Sequence, residues 1–214
     1  MTRIVLVRHG ETEWNAQRKH IGSTDLELNE KGKAQAKAVA NALEEFSFTA
    51  VYSSTLKRCF QTAETIANSH NLKIKSDAGL NEIDFGEWEG LTWNDIKTGY
   101  PNLYRRWLRE DRNFQMPGGE RWQAFKERVF RVFKKILEEN AEGTIAIVGH
   151  GGSLKVILCE ILKFGSSCFF KFQLSPAAVS VFDLDGNKAT LTLLNDTCHL
   201  PKELQSQLIS FPVD

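Results

Sequence analysis

Short apolar runs alternate with helical stripes along this chain. Residues 4–7, Ile-Val-Leu-Val, form a β-branched run that reads as a buried strand inside a parallel sheet. Residues 50–52 and 144–148 repeat that signature, and 73–76 reads as an edge strand. Between them lie helical spacings. Asn29 is placed to cap a helix whose apolar positions are Ala38, Val39, Ala42, Leu43 and Phe46. Residues 56–70 and 153–162 predict two more helices. A long stripe from Trp122 through Phe125, Val129, Val132, Phe133 and Ile136 to Leu137 predicts another, with Gly143 ending it. Residues 92–110 read as two aromatic-rich helices broken at Tyr100-Pro101. Near the carboxy end, 178–184 and 188–194 alternate around Asp185-Gly186-Asn187, a hairpin signal. Strands followed by helices, closed by a hairpin, predict an α/β fold with a mostly parallel sheet and an antiparallel strand.

At 214 residues the chain suits one domain, 1–214, with a sizeable core. Its 27 basic and 27 acidic side chains cancel, so no global field favours nucleic acid or an anionic membrane. No apolar run approaches the ~20 residues of a membrane span, and the start lacks a signal-peptide pattern. The expected location is the cytoplasm. The cysteines, Cys59, Cys159, Cys168 and Cys198, are scattered without a Cys-x-x-Cys pair, which predicts reduced thiols and no disulfide or zinc frame.

The chemistry gathers at two strand ends. Arg8-His9-Gly10 follows the first strand, where open α/β sheets hold ligands. Arginine offers a forked permanent charge for phosphate, histidine a nucleophilic nitrogen, and glycine close backbone approach. Gly149-His150-Gly151-Gly152 follows the 144–148 strand, so two histidines are placed to converge on one crevice, with the Gly151 N–H available to an oxyanion. The glycines miss the dinucleotide-binding spacing because position 154 is leucine. Arg58 falls in the first turn of the 56–70 helix, an anion-favouring place. The loop Leu80–Gly90 offers four acids, Glu82, Asp84, Glu87 and Glu89, among Ile83, Phe85 and Trp88. Desolvation would hold such a carboxyl protonated, and composition leaves the four nearly tied.

Several motifs in order resemble the histidine phosphatase superfamily, also called phosphoglycerate mutase-like. They are "RHGETEWN" from Arg8, "LNEKGKAQA" from Leu28, "YSSTLKRCFQTA" from Tyr52, "LNEIDFGEWEGL" from Leu80, "PGGE" from Pro117 and "VGHGG" from Val148. The resemblance runs from Arg8 to about Leu194. It implies a three-layer α/β/α sandwich with a helical lid at about 92–120. It implies that His9 takes up the phosphoryl group, that Arg8, Arg58, His150 and Asn15 hold its oxygens, and that Glu82 is the proton donor. The loop with Gly22 and Ser23 would lie beside the phosphate, and Glu89 would make a structural hydrogen bond. No metal or cofactor is called for.

Among family members the chain looks like the phosphatase branch, and "LNEIDFGEWEGLTW" resembles alpha-ribazole phosphatase-like proteins. Alpha-ribazole-5′-phosphate is thus the first expected substrate, with phosphoserine or a broad range of phosphomonoesters as alternatives and phosphoglycerate mutase activity behind them. "LNDTCHL" resembles metal-independent phosphoserine phosphatases. Outside the family, a metal-dependent hydrolase using His9 and His150, or a catalytically silent phosphate-binding module, competes. Arg105, Arg106, Arg109 and Arg112 are expected to face solvent for the most part, with room for one to touch substrate. The expected partner is a small phosphomonoester, and an exposed hairpin edge or apolar lid would suit a homodimer.

Overall fold

The computed structural model describes residues 1–164, 168–186 and 188–206. The strands are β1 (Thr2–Arg8), β2 (Phe48–Ser53), β3 (Ile74–Ser76), β4 (Gly143–Gly149), β5 (Val179–Asp185) and β6 (Lys188–Asp196). They form one sheet in the order β3-β2-β4-β1-β5-β6. The β3–β2, β2–β4 and β4–β1 pairs are parallel, and β5 runs against both its neighbours. Asn187, expected in the hairpin turn, lies outside the described residues.

The helices are α1 (Glu13–Ala16), α2 (Glu30–Ala42), α3 (Lys57–Ser69), α4 (Trp93–Gly99), α5 (Pro101–Leu108), α6 (Trp122–Glu139) and α7 (Gly151–Ile161). The side-chain period of two in the central strands sorts the core into two halves. Ile4, Leu6, Ile145, Ile147 and Phe182 pack with Phe125, Val129 and Phe133 of α6 and Leu154 and Ile157 of α7. Val5, Val7, Val51, Ala146 and Val148 pack with Val39 of α2 and Cys59, Ala63 and Ile66 of α3. The result is the expected three-layer α/β/α sandwich.

Local signals act as predicted at most ends. The Asn29 side chain accepts from the Gly32 N–H and caps α2. Pro101 opens α5 one residue after α4 closes. Trp93, Tyr104, Trp107, Phe114 and Met116 of the 92–120 region sink into the same core as α6, while Arg105, Arg106, Arg109 and Arg112 are exposed.

Two expectations need correction. Gly143 does not end α6: Asn140 does, and Gly143 opens β4 with φ +100, a left-handed turn before the strand. Cys159 and Cys168 are not separate thiols. Their Cα atoms lie 6.0 Å apart, within bridging range, and they form a disulfide. Cys59 and Cys198 are free. Among the described residues no helix is long and apolar enough to cross a membrane.

The turn after β1 is tied to α2 by glycine-on-glycine contact. A Cβ on Gly10 would strike the Gly32 carbonyl, and a Cβ on Gly32 would strike the Glu11 carbonyl. Gly32→Ala should therefore destabilise the fold by about 1–3 kcal/mol through overpacking. That corresponds to a fall of roughly 2–12 °C in thermal midpoint for a chain of this size, read by calorimetry; an unchanged midpoint would mean the turn relaxes freely.

Candidate active site

Three parallel strand ends build the site. Arg8 of β1 pairs in register with Gly149 of β4, and the His9 N–H donates to the Gly149 carbonyl at 3.0 Å. Beside them the Ser54 N–H, just past β2, donates to the Val148 carbonyl at 3.1 Å. His9, Ser54 and His150 are thereby fixed at one edge of the sheet, and the His9 and His150 ring centres are 5.2 Å apart.

The hydrogen bonds settle both histidine tautomers. His9 Nδ1 lies 2.7 Å from the Gly10 carbonyl oxygen, which can only accept, so Nδ1 carries the hydrogen and Nε2 keeps its lone pair. Arg58 Nε donates to His150 Nδ1 at 3.2 Å, so the hydrogen of neutral His150 sits on Nε2, 2.8 Å from Ser54 Oγ. Ser54 Oγ donates onward to Asn81 Oδ1 at 2.7 Å. Burial first, then the positive charge of Arg58, holds both imidazoles well below their ordinary pKa.

Arg58 has no exposed surface. Its Nη1 and Nη2 donate to the carbonyls of Thr24 and Gly22 at 2.8 and 2.7 Å. Arg8 donates through Nη1 to the Leu174 carbonyl, while its buried Nε has no hydrogen-bond partner among the described residues. Burial lowers the Arg8 pKa to about 10, which still leaves it charged at neutral pH.

A cavity of about 500 Å³ opens beside these groups. Its walls include Arg8, Asn15, Glu82 and Gly151, together with Phe85, Trp93, Trp107, Phe169 and Phe170. His9, Arg58 and His150 lie almost wholly buried next to it. Glu82 accepts from the N–H groups of Gly152 and Ile83 at 2.8 and 3.1 Å. Burial raises its pKa against those bonds and the nearby arginines.

The four acids of the 80–90 loop are now distinguished. Glu89 accepts from the backbone and hydroxyls of Ser23 and Thr24, the structural bond expected of it. Asp84 accepts from the Gly86 N–H and Ser23 Oγ. Glu87 accepts from Tyr100 on the surface, leaving Glu82 as the one of the four that lines the cavity.

Not every expected binding residue reaches that cavity. Ser23 lies in a smaller adjoining hollow, because Glu89 takes both its amide and its hydroxyl. Gly22 serves through its carbonyl on Arg58, and a Cβ there would crowd Glu89 and the Phe85 amide. Asn15 lines the cavity, but its Oδ1 caps α1 by accepting from Thr12, so only Nδ2 can serve a phosphate. None of Arg105, Arg106, Arg109 and Arg112 lines it. His20 packs against Trp93 and Phe85, His70 against Phe48, and His199 meets the Ala177 carbonyl. Among the described residues no cluster of three or more His, Cys, Asp or Glu side chains is arranged to hold a metal.

Sequence reasoning missed two supports. Ser54 orients His150. Arg128 of α6 donates to the carbonyls of Gly79, Asn81 and Glu82 at 3.0, 2.8 and 2.8 Å and pairs with Glu120, pinning the Glu82 loop. The only available sequence signal was an arginine on the partly apolar face of α6, which does not separate it from a surface charge. The two tautomers make a spectroscopic prediction: ring 15N shifts at pH 7 should show His9 protonated on Nδ1 alone and His150 on Nε2 alone. An imidazolium signal from either would contradict the hydrogen-bond assignment.

Comparison with known proteins identifies the family. The family model "Histidine phosphatase superfamily (branch 1)" matches residues 4–197. Phosphoserine phosphatase 1 of Hydrogenobacter thermophilus is 33% identical over 94% of this chain and 95% of its own. The adenosylcobalamin/alpha-ribazole phosphatase of Escherichia coli is 28% identical over 90% and 95%. The crystal structure of a phosphoserine phosphatase from Entamoeba histolytica, in complex with 3-phosphoglyceric acid, superposes with a TM-score of 0.85 at 31% identity, covering 94% of this chain and all of that one. The chain belongs to branch 1 of the histidine phosphatase superfamily and is a phosphatase.

Proposed function

We propose that this phosphatase works through a phosphohistidine on His9 and acts on small phosphomonoesters, O-phosphoserine foremost. The observation that carries the reading is the pairing of a His9 Nε2 lone pair with two guanidinium groups, the wholly buried Arg58 and the half-buried Arg8, whose Nε is buried and has no partner among the described residues. Such a site is short of exactly one kind of guest, an anion with several acceptor oxygens.

In the first step His9 Nε2 attacks phosphorus, the bond from phosphorus to the ester oxygen breaks, and the Glu82 carboxyl proton passes to that leaving oxygen. Arg8, Arg58 and the Gly151 N–H meet the charge on the phosphoryl oxygens, with Asn15 contributing through Nδ2. In the second step the Glu82 carboxylate takes a proton from water, whose oxygen attacks phosphorus. The phosphorus–nitrogen bond breaks, His9 recovers its lone pair and inorganic phosphate leaves. His150 is given the supporting role of a neutral acceptor that aims Arg58.

Charge in the cavity supports phosphoserine over the neutral ribazole. Four cationic side chains, Arg8, Arg18, Lys31 and Lys155, line it against two acidic ones, Glu11 and Glu82. Its aromatic wall favours a second reading, alpha-ribazole-5′-phosphate, whose flat heterocycle would lie against Trp93, Trp107 or Phe170.

Two assays test this. With phosphoserine, alpha-ribazole-5′-phosphate and 4-nitrophenyl phosphate in EDTA, the protein should turn over and His9→Ala should lose at least ~10³-fold in kcat, as expected for a removed nucleophile. Activity that survives the mutation, or needs added metal, would overturn the phosphohistidine route. Glu82→Gln should cost phosphoserine more than 4-nitrophenyl phosphate, whose leaving group needs little protonation. Arg128→Met should show the same bias at about 10- to 100-fold in kcat, because the acid is misplaced. Equal losses on both substrates would remove Glu82 from the role of acid.

A further inference from the structure

One buried charge in the cavity has no part in the steps above. Lys155 sits on α7 four residues beyond Gly151, so both share one helix face, and both line the cavity. The lysine is only 5% exposed. Its Nζ lies 5.0 Å from the centre of the Phe169 ring and 5.8 Å from that of Phe172. Lysines are rarely buried to this degree without an anionic purpose. We infer that Lys155 receives a carboxylate on the alcohol part of the substrate, which makes phosphoesters of hydroxycarboxylic acids the preferred class. The inference rests on the phosphatase reading above.

The surroundings suit this role. Arg8 of β1, Glu82 of the 80–90 loop and Glu110 just after α5 are the charged groups that act on Lys155, and the 168–172 segment faces it with phenyl rings. Arg8 is committed to phosphate. A substrate carrying phosphate and carboxylate on adjacent carbons therefore meets two neighbouring cations, and each anionic end relieves the repulsion between them. An alcohol part without the carboxylate leaves that repulsion to be offset by Glu82 and Glu110 alone. The aromatic rings exclude water from the ammonium, which strengthens an ion pair formed there. Burial, then Arg8, lowers the Lys155 pKa to about 7, with Glu82 and Glu110 opposing. The ammonium that binds carboxylate is thus fully present below that pH and is lost above it.

The test compares matched substrates. O-phosphoserine and O-phosphoethanolamine differ only by the carboxylate, as 3-phosphoglycerate and glycerol 3-phosphate differ by carboxylate against hydroxymethyl. The wild-type protein should prefer the carboxylated member of each pair. Lys155→Met, which keeps the apolar stem among the rings, should cut that kcat/KM ratio by about 10- to 100-fold, chiefly through KM, as loss of a charge-assisted bond predicts. Lys155→Arg should restore part of the ratio. A measurement without any substitution guards against misfolding: the wild-type ratio should fall as pH rises from 6 to 8, since phosphate and amine titrations cancel between phosphoserine and phosphoethanolamine.

Other outcomes separate the possible failures. A wild-type enzyme that hydrolyses both members of each pair equally overturns the inference and leaves the phosphatase reading intact. So does a folded Lys155→Met with an unchanged ratio, which would make the lysine a packing element for Phe169 and Phe172. If inhibition by inorganic phosphate weakens in Lys155→Met as much as phosphoserine binding does, Lys155 belongs to the phosphate pocket and the carboxylate role is wrong. If the wild-type protein fails to hydrolyse even 4-nitrophenyl phosphate, the phosphatase reading falls first and takes this inference with it.

Discussion

The constraint behind the whole site is the burial of guanidinium charge at the ends of parallel strands. Removing an ion from water costs several kcal/mol in a real protein even after relaxation. Arg58 offsets that cost with two carbonyls and an imidazole, those of Gly22, Thr24 and His150. The arginine is therefore a hub for the loop after α1, which Glu89 holds from the other side. Burial first and the charge of Arg58 second keep His150 neutral. With Nδ1 taken by Arg58, the opposite ring nitrogen meets Ser54, and Asn81 completes the line. Remove the charge and this line loses the donor that orients it.

Around this hub His9 and Glu82 are conditioned in opposite senses by one environment. The same low polarity that denies His9 a proton helps Glu82 keep one, and the same arginines that reinforce the first effect oppose the second. Under the proposed mechanism, an unprotonated nucleophile and a protonated acid thus coexist over one pH range without a separate device for each. The cost is borne by the scaffold. Gly10, Gly32 and Gly152 stand where a side chain would press on neighbours, and Arg128 is spent on holding carbonyls of the Glu82 loop.

Much of this was legible in the chain. The apolar runs at 4–7, 50–52 and 144–148 and the alternation of the hairpin gave the sheet, because a period of two and β-branching are local properties. Arg8, His9 and His150 fall at strand ends, where such sheets hold ligands, whereas Arg58 is separated from a surface arginine only by the family motif around it. What stayed hidden depends on distant partners. Four acids in one loop look alike until Gly152, Tyr100, Ser23 and Thr24 choose among them. Arg128 and Lys155 carry no signal of their own, since sequence does not say which turn of a helix faces a cavity. The bridge between Cys159 and Cys168 depends on how close the fold brings two cysteines nine positions apart, which no motif announces. Gly143 was assigned to the wrong side of a turn because a glycine between a helix and a strand serves either one.

The contact between Arg8 and the Leu174 carbonyl has a consequence for readiness. It fixes the Nη1 end of the guanidinium and leaves the Nε side to a guest. A charge tethered at one end keeps its aim while the cavity is empty. Part of the ordering that binding an anion would otherwise require is therefore already met by the fold.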